Sequence, residues 1–289
     1  MTRFTSLLPI LAALAISAPG AADAMAGDKE VARMTSFGGA CPRCELSGRK
    51  LSGARFIGAN FSGAALVGSD LRDARFHGSN FSRADLSRAD LSDAQMFGAD
   101  FSSANLSHAQ LGSAQLSGVV FTAANLTRAD LSDVEATGAV FDRAQMTGVV
   151  LRDANLSGAT MIKADARGAS FRDSRLTGSV LSGGRFDGAD FRDAQLNGAV
   201  LSGATFAGAD FRDAELMQAV IAGADLSRAR GLDQGQLDRA CADSRTRLPL
   251  GLVAKGCSGR VFVRRVVVAA PPLPPPPPVP RRLVAAEER

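Results

Sequence analysis

Four cysteines carry the most defined chemistry in this chain: Cys41 and Cys44 near one end, Cys241 and Cys257 near the other. Thiols at such spacings hold a metal, cycle as a dithiol or close into disulfides. Cys41-Pro42-Arg43-Cys44 has the spacing of a redox pair but lacks the βαβ surroundings such pairs need. His77 and His108 are the only histidines, and neither has an orienting partner in sequence, which general acid–base work by imidazole requires. No Ser/His/Asp set, phosphate loop or metal-ligand cluster is present. Asp73, Asp93, Asp133, Asp153, Asp173, Asp193 and Asp213 recur at multiples of twenty residues. Stacked carboxylates repel, and Ca²⁺ could relieve them, yet Arg72, Arg152, Arg172, Arg192 and Arg212 precede five of them and do so without metal. The expectation is a solvated charge ladder, with no catalytic residue, no cofactor and no metal.

What positions these groups is a repeat. Every fifth residue from Leu46 to Leu226 is Leu, Phe, Met, Ile or Ala, and the residue two before it is nearly always Ala, over about 37 consecutive units. In extended chain, residues two apart share a face, so the large residue and its Ala both point inward. Five is odd, so a straight strand would flip its faces at the next unit, and the chain must turn a corner once per unit. Four corners close a square coil. Gly58, Gly98, Gly138 and Gly178 stand at corners, where a positive φ is tolerated. A second period of twenty supports four units per coil and stacks Phe61, Phe81, Phe101, Phe121 and Phe141 in one ladder, Phe171, Phe191 and Phe211 in another, and Phe186 on Phe206. Gly-x-x-x-x-Gly spacings follow from the repeat and say nothing of phosphate.

Units such as Ala84-Asp85-Leu86-Ser87-Arg88, Ala104-Asn105-Leu106-Ser107-His108 and Ala154-Asn155-Leu156-Ser157-Gly158 make the chain resemble the pentapeptide-repeat family over residues 46–230. That resemblance implies an all-β fold, a right-handed quadrilateral β-helix; periodicity alone gives the corners and not the hand. About nine coils spaced like strands, at about 4.8 Å, make a rod on the order of 43 Å long. With such a rod between the two cysteine pairs, a single four-Cys zinc site is excluded, because zinc–sulfur bonds are roughly 2.3 Å long. Cys41–Cys44 and Cys241–Cys257 are therefore expected as disulfide staples before and after the coils.

The ends set the compartment. Met1-Thr2-Arg3, an apolar run from Leu7 to Ile16 and small residues around Ala24 and Ala26 read as a cleaved signal peptide over 1–26. The run is too short to span a membrane, and no transmembrane segment is expected in the mature chain. A lead-in with Cys41–Cys44 fills 27–45. Residues 231–258 break the five-residue rhythm, and Leu232, Gln236, Leu237 and Ala240 fall at helical spacing after a possible Asp233 cap. A short C-terminal helical cap tied by Cys241 and Cys257 is expected, hiding an open coil edge, and it resembles the extension of many exported members of the family. From 259 to 289 the chain turns basic and then proline-rich, as an extended or disordered arm would.

Charge separates the functional classes. Relatives of the quinolone-resistance type imitate DNA with an acidic surface and modulate topoisomerases, whereas residues 46–230 hold 19 Lys/Arg against 20 Asp/Glu. A neutral rod is a poor phosphate mimic, and export would separate it from that enzyme. The 10 Lys/Arg against 5 Asp/Glu of residues 231–289 lie in the terminal part, and Tyr and Trp are absent, so no nucleic-acid partner is expected. Arg88, His108 and Arg128 form a short basic corner, read as solvated. Val120, Val140, Val180, Val200 and Val220, with Thr160 between, should point outward. That column is the candidate docking face for an unknown protein partner or for self-association. The function expected is a non-enzymatic periplasmic or secreted scaffold.

Overall fold

The computed structural model describes residues 39–257. The expectations for residues 1–26 and 259–289, and for the lead-in up to residue 38, lie outside the described residues.

Each five-residue unit makes one side and one corner of a coil. In the unit around Leu106 the side is extended, and Leu106 N–H donates to Asn125 O (2.7 Å) while Asn105 N–H donates to Ala84 O (2.9 Å), linking the coil to both neighbours. Ala109 N–H then closes the corner onto Leu106 O (3.1 Å). The residue two after each inward side chain turns left-handed: Gly58 has φ +62 and Gly138 φ +66, but Asp73 (φ 57), Arg88 (φ 58) and Ser103 (φ 59) do the same. Asp tolerates this conformation through its short polar side chain, which gives the Asp column a local backbone reason that charge does not supply. A side is so short before its corner that the coils are joined by single-residue parallel bridges, such as Ala65↔Asp85↔Asn105↔Asn125, and not by long strands.

Inside, side chains stack with the period of the coil. Phe81 lies 4.9 Å from Phe101 and Phe171 4.8 Å from Phe191, centroid to centroid and nearly parallel. Phe56 on Phe76 adds a ladder at right angles to the first, meeting it edge-on at Phe61. Ala at the partner position leaves room for each ring, so the interior closes at ordinary protein density. Where Ser replaces Ala the buried hydroxyl is satisfied at once: Ser69 donates to Leu66 O (2.8 Å) and Ser179 to Leu176 O (2.7 Å).

The rhythm ends at Arg230. Asp233 caps a one-turn helix, α1 (Gln234–Leu237), in a reciprocal capping box with Gln236. The Gln236 amide also donates to Phe211 O and Ala214 O, both at 2.9 Å, which are carbonyls of the last regular coil. Leu237 and Ala240 are buried on the core, as their helical spacing requires, although the helix is only one turn long. The ladder then resumes with a shifted step: Val220 bridges Cys241 and Asp225 bridges Arg247. β1 (Cys241–Ala242) pairs in parallel with β2 (Lys255–Gly256). Cys41 is joined to Cys44 and Cys241 to Cys257, with Cα atoms 5.4 and 4.8 Å apart.

Candidate interaction surface

A recurring side-chain bond explains why Asp or Asn so often precedes the large residue. In these units the carboxylate or amide oxygen accepts the backbone N–H two residues on, as Asp85 accepts from Ser87 (2.9 Å), Asp100 from Ser102 (2.8 Å) and Asn125 from Thr127 (3.1 Å). Each such bond satisfies a corner donor that the inter-coil ladder leaves over. Valine has no acceptor. At Thr122, Asp142, Ser182, Ser202 and Ala222, the residues two after Val120, Val140, Val180, Val200 and Val220, the backbone N–H finds no acceptor among the described residues. The valine column replaces a polar ladder by an apolar one.

That column is continuous. Val120, Val140, Thr160, Val180, Val200 and Val220 bridge one another in order, and Cys241 stands next above them. The valines are half-buried, because side chains stacked at coil spacing shade one another, and so they form a low ridge and not the free-standing outward row their positions suggest. Thr160 is 5% exposed and its hydroxyl is unpartnered. The corners beside the ridge are bare: a Cβ built at Gly138, Gly158, Gly178, Gly198 or Gly203 would meet nothing within 4 Å. Between Ser117 and Gly223 only Asp142, Arg143 and Lys163 on this face carry charge.

Elsewhere the surface is polar and largely self-satisfied. Arg72, Arg192 and Arg212 do not pair mainly with the neighbouring aspartates of the expected ladder. They fold back onto Asp70 (2.8 Å), Asp190 (2.6 Å) and Asp210 (2.6 Å), two residues earlier on the same side; only Arg172 bonds its neighbour Asp173 (3.1 Å). The Arg hydrogen bonds hold these three carboxyls below the ordinary carboxylate range. Among the described residues, no group of three His, Cys, Asp or Glu is placed to hold a metal ion, and no helix is long and apolar enough to cross a membrane. His108 sits on a corner at φ 59 between Arg88 and Arg128. His77 meets Phe97 edge-on at 5.2 Å, and with Ile57 they form an exposed apolar corner. Sequence reasoning passed over this corner, although Ile57, His77 and Phe97 each directly follow an inward residue and are spaced by twenty.

The departure of α1 from the last coil makes an open cleft of about 690 Å³, lined in part by Asn197, Glu215, Met217, Gln236 and Arg239. Further along the chain, Asp243 clasps the segment after α1 to the last coil. Burial pushes this carboxyl up, but bonds from the Arg245 side chain (3.0 Å), Gly223 N–H (2.7 Å), the Thr246 hydroxyl (3.0 Å) and Arg245 N–H (3.0 Å) outweigh it and lower its pKa to about 2. A carboxyl depressed in the folded state adds stability that is complete above its unfolded value near pH 4 and is lost as pH falls toward the folded value. The melting temperature is therefore expected to hold down to about pH 5 and to fall below about pH 4, with a smaller acid-induced fall in Asp243→Asn. Identical acid slopes for the two chains, followed by circular dichroism, would reject the clasp.

A coil of four five-residue sides, closed by parallel bridges twenty residues apart around stacked Phe and Leu, defines a pentapeptide-repeat solenoid. The family model described as "Pentapeptide repeats" matches eight copies over residues 43–78, 79–118, 114–153, 154–193 and 194–230, and the chain belongs to that family. Among solved structures it is similar to HetL, a pentapeptide repeat protein involved in heterocyst differentiation regulation from the cyanobacterium Nostoc sp. strain PCC 7120. The identity is 27%, the match covers 78% of this chain and 94% of HetL, and the TM-score is 0.61. Full-length QnrB1, a plasmid-mediated fluoroquinolone resistance protein, is 22% identical over 71% of this chain and 94% of its own, with a TM-score of 0.32. A pentapeptide repeat protein from the Arabidopsis thaliana thylakoid lumen is 31% identical over 42% of this chain and 71% of its own, with a TM-score of 0.28. No curated protein matches the sequence. Family and HetL together make the fold a right-handed β-helix.

Proposed function

We propose that this chain is an exported, non-enzymatic scaffold that binds protein partners through the valine face. Its rod would have about nine coils, closed at the C-terminal end by α1 and the Cys241–Cys257 staple. The observation that carries the reading is the ridge of Val120, Val140, Val180, Val200 and Val220, joined through Thr160, where the other sides of the rod carry mostly polar residues at the same position. An apolar strip in a flat setting gains by being covered, and rigid solenoid faces supply affinity by shape. The signal-peptide pattern of residues 1–26 and two disulfides favour an oxidising compartment, periplasmic or extracellular.

The test is crosslinking in the exporting cell followed by mass spectrometry, on the native chain and on Val140→Lys/Val180→Lys. Both substitutions point outward, so folding should be retained, while two buried ammonium groups should reduce the yield of the captured partner at least about tenfold. An unchanged partner set and oligomeric state would remove the valine face from the function. The alternative, a DNA-mimicking topoisomerase modulator, has the neutral rod against it; retention of the full-length chain in the cytosol would revive it.

A further inference from the structure

The occupant of the valine face can be narrowed, on the reading that this face is the docking surface. A ridge whose side chains recur once per coil offers the same contact at about 4.8 Å intervals over six layers. An extended peptide laid along the rod repeats on one side at about 6.6 Å, and a helix advances about 5.4 Å per turn, so the first falls half a period out of register within about two coils and the second by about the fourth. A surface that keeps step over the full length is another stack of parallel β-coils. We propose that the valine face is closed by the valine face of a second copy of this chain.

Three features of the face make it self-complementary. Its corners are bare at Gly138, Gly158, Gly178, Gly198 and Gly203, so two ridges can approach without corner side chains holding them apart. Of the groups that stand out, Asp142, Arg143, Ile162 and Lys163 lie at one corner of two coils and Met217 with Gln218 at the opposite corner of the Val220 coil, while the coils of Val180, Val200 and Val220 carry Ser182, Gly183, Ser202, Gly203, Ala222 and Gly223 at the first corner. In an antiparallel pair the raised half of one copy meets the bare half of the other; in a parallel pair it meets the Thr137-Gly138 and Ser157-Gly158 corner. The polar groups complement one another too. The face carries backbone donors without acceptors at Ser182, Ser202 and Thr122, and hydroxyl oxygens at those same residues. Two copies supply what each lacks.

Size sets the strength. Six layers span about 29 Å and the three extended residues of one side about 10 Å, or roughly 290 Å² per copy and about 580 Å² for the pair. This is below the size of a standard specific interface, so the dimer should be weak and reversible, with a dissociation constant on the order of tens of micromolar.

Sedimentation equilibrium of the full exported chain, from about 1 to about 200 µM, tests this. The expected result is a mass that doubles across the range, and no doubling in Val140→Lys/Val200→Lys or in Val140→Glu/Val200→Glu, each with an unchanged far-ultraviolet spectrum. An equimolar mixture of the two doubly substituted chains should regain the dimer, because charges of opposite sign then meet at both contacts in either orientation. A native chain that stays monomeric at about 200 µM, doubly substituted chains that dimerise like the native one, or a mixture that stays monomeric would each overturn self-pairing. The reading it rests on fails separately: a monomeric native chain whose crosslinked partners still disappear in Val140→Lys/Val180→Lys remains an interaction module with a different partner.

Discussion

Phe121→Ala should lose about 3–5 kcal/mol of stability, one of the two largest effects expected in this chain. The ring is fully buried and stacks on Phe101 at 5.4 Å and Phe141 at 5.1 Å, so its removal empties the space between two neighbours that cannot follow it. Those neighbours are fixed by their own coils, whose backbone bonds to the layers above and below hold each side in place. Collapse, the usual route by which a cavity becomes cheaper, is closed off. Phe121→Leu should lose much less, because Leu fills the same station of the column at Leu181 and Leu201. Each coil touches only its neighbours, so a hole in mid-rod also weakens communication between the two ends, and the denaturant transition should broaden as well as move. A loss under about 1 kcal/mol would mean that the ladder does not carry the rod's stability.

The interior was legible because burial here is a matter of counting. A side chain at every fifth position has one place to go, and the Phe ladders, the Gly corners and the Asp233 cap all follow from spacing and local chemistry. The corner apart, what was not legible came from bonds that cross between positions of the repeat. Arg72 could reach Asp73 or Asp70; the planar fork and the rigid two-residue offset along one side favour Asp70, and sequence adjacency gives no hint of it. Asp73, Asp93 and their equivalents looked like a charge motif although they hold the same corner position as Gly58, because the residue type drew attention to charge while the backbone shows that they too turn left-handed. The valine column was visible as a column, but its meaning was not. Only the polar bonds between Asp or Asn and the following N–H on other sides show what the valines leave unsatisfied, and a cleft where the helix leaves the rod has no signature in a five-residue period.

Gly231→Ala should be the most damaging change outside the core, and comparison with Gly203→Ala isolates the reason. Both glycines are left-handed, at φ +74 and φ +67, so both substitutions carry the strain of an L-residue there, about 1 kcal/mol. At Gly203 nothing lies within 4 Å of the new Cβ, and the loss should stop at that. At Gly231 the Cβ would stand 2.7 Å from Arg212 N and 3.0 Å from Arg212 Cα, which are backbone atoms of the coil below and cannot swing aside as a side chain can. Relief requires lifting the chain off the rod where it enters α1, or displacing Arg212 and with it the fork onto Asp210. Overpacking of this kind adds about 1–3 kcal/mol, giving a total near 3 kcal/mol for Gly231→Ala against about 1 for Gly203→Ala. The damage should also be local: hydrogen exchange should rise first at Gln218, Ile221 and Leu226, whose N–H groups donate to Arg239, Cys241 and Arg247 above them, while the mid-rod amides stay protected. Equal losses at the two glycines would mean that the junction yields freely, and the segment beyond Arg230 would then be an appendage and not a closure of the coil stack.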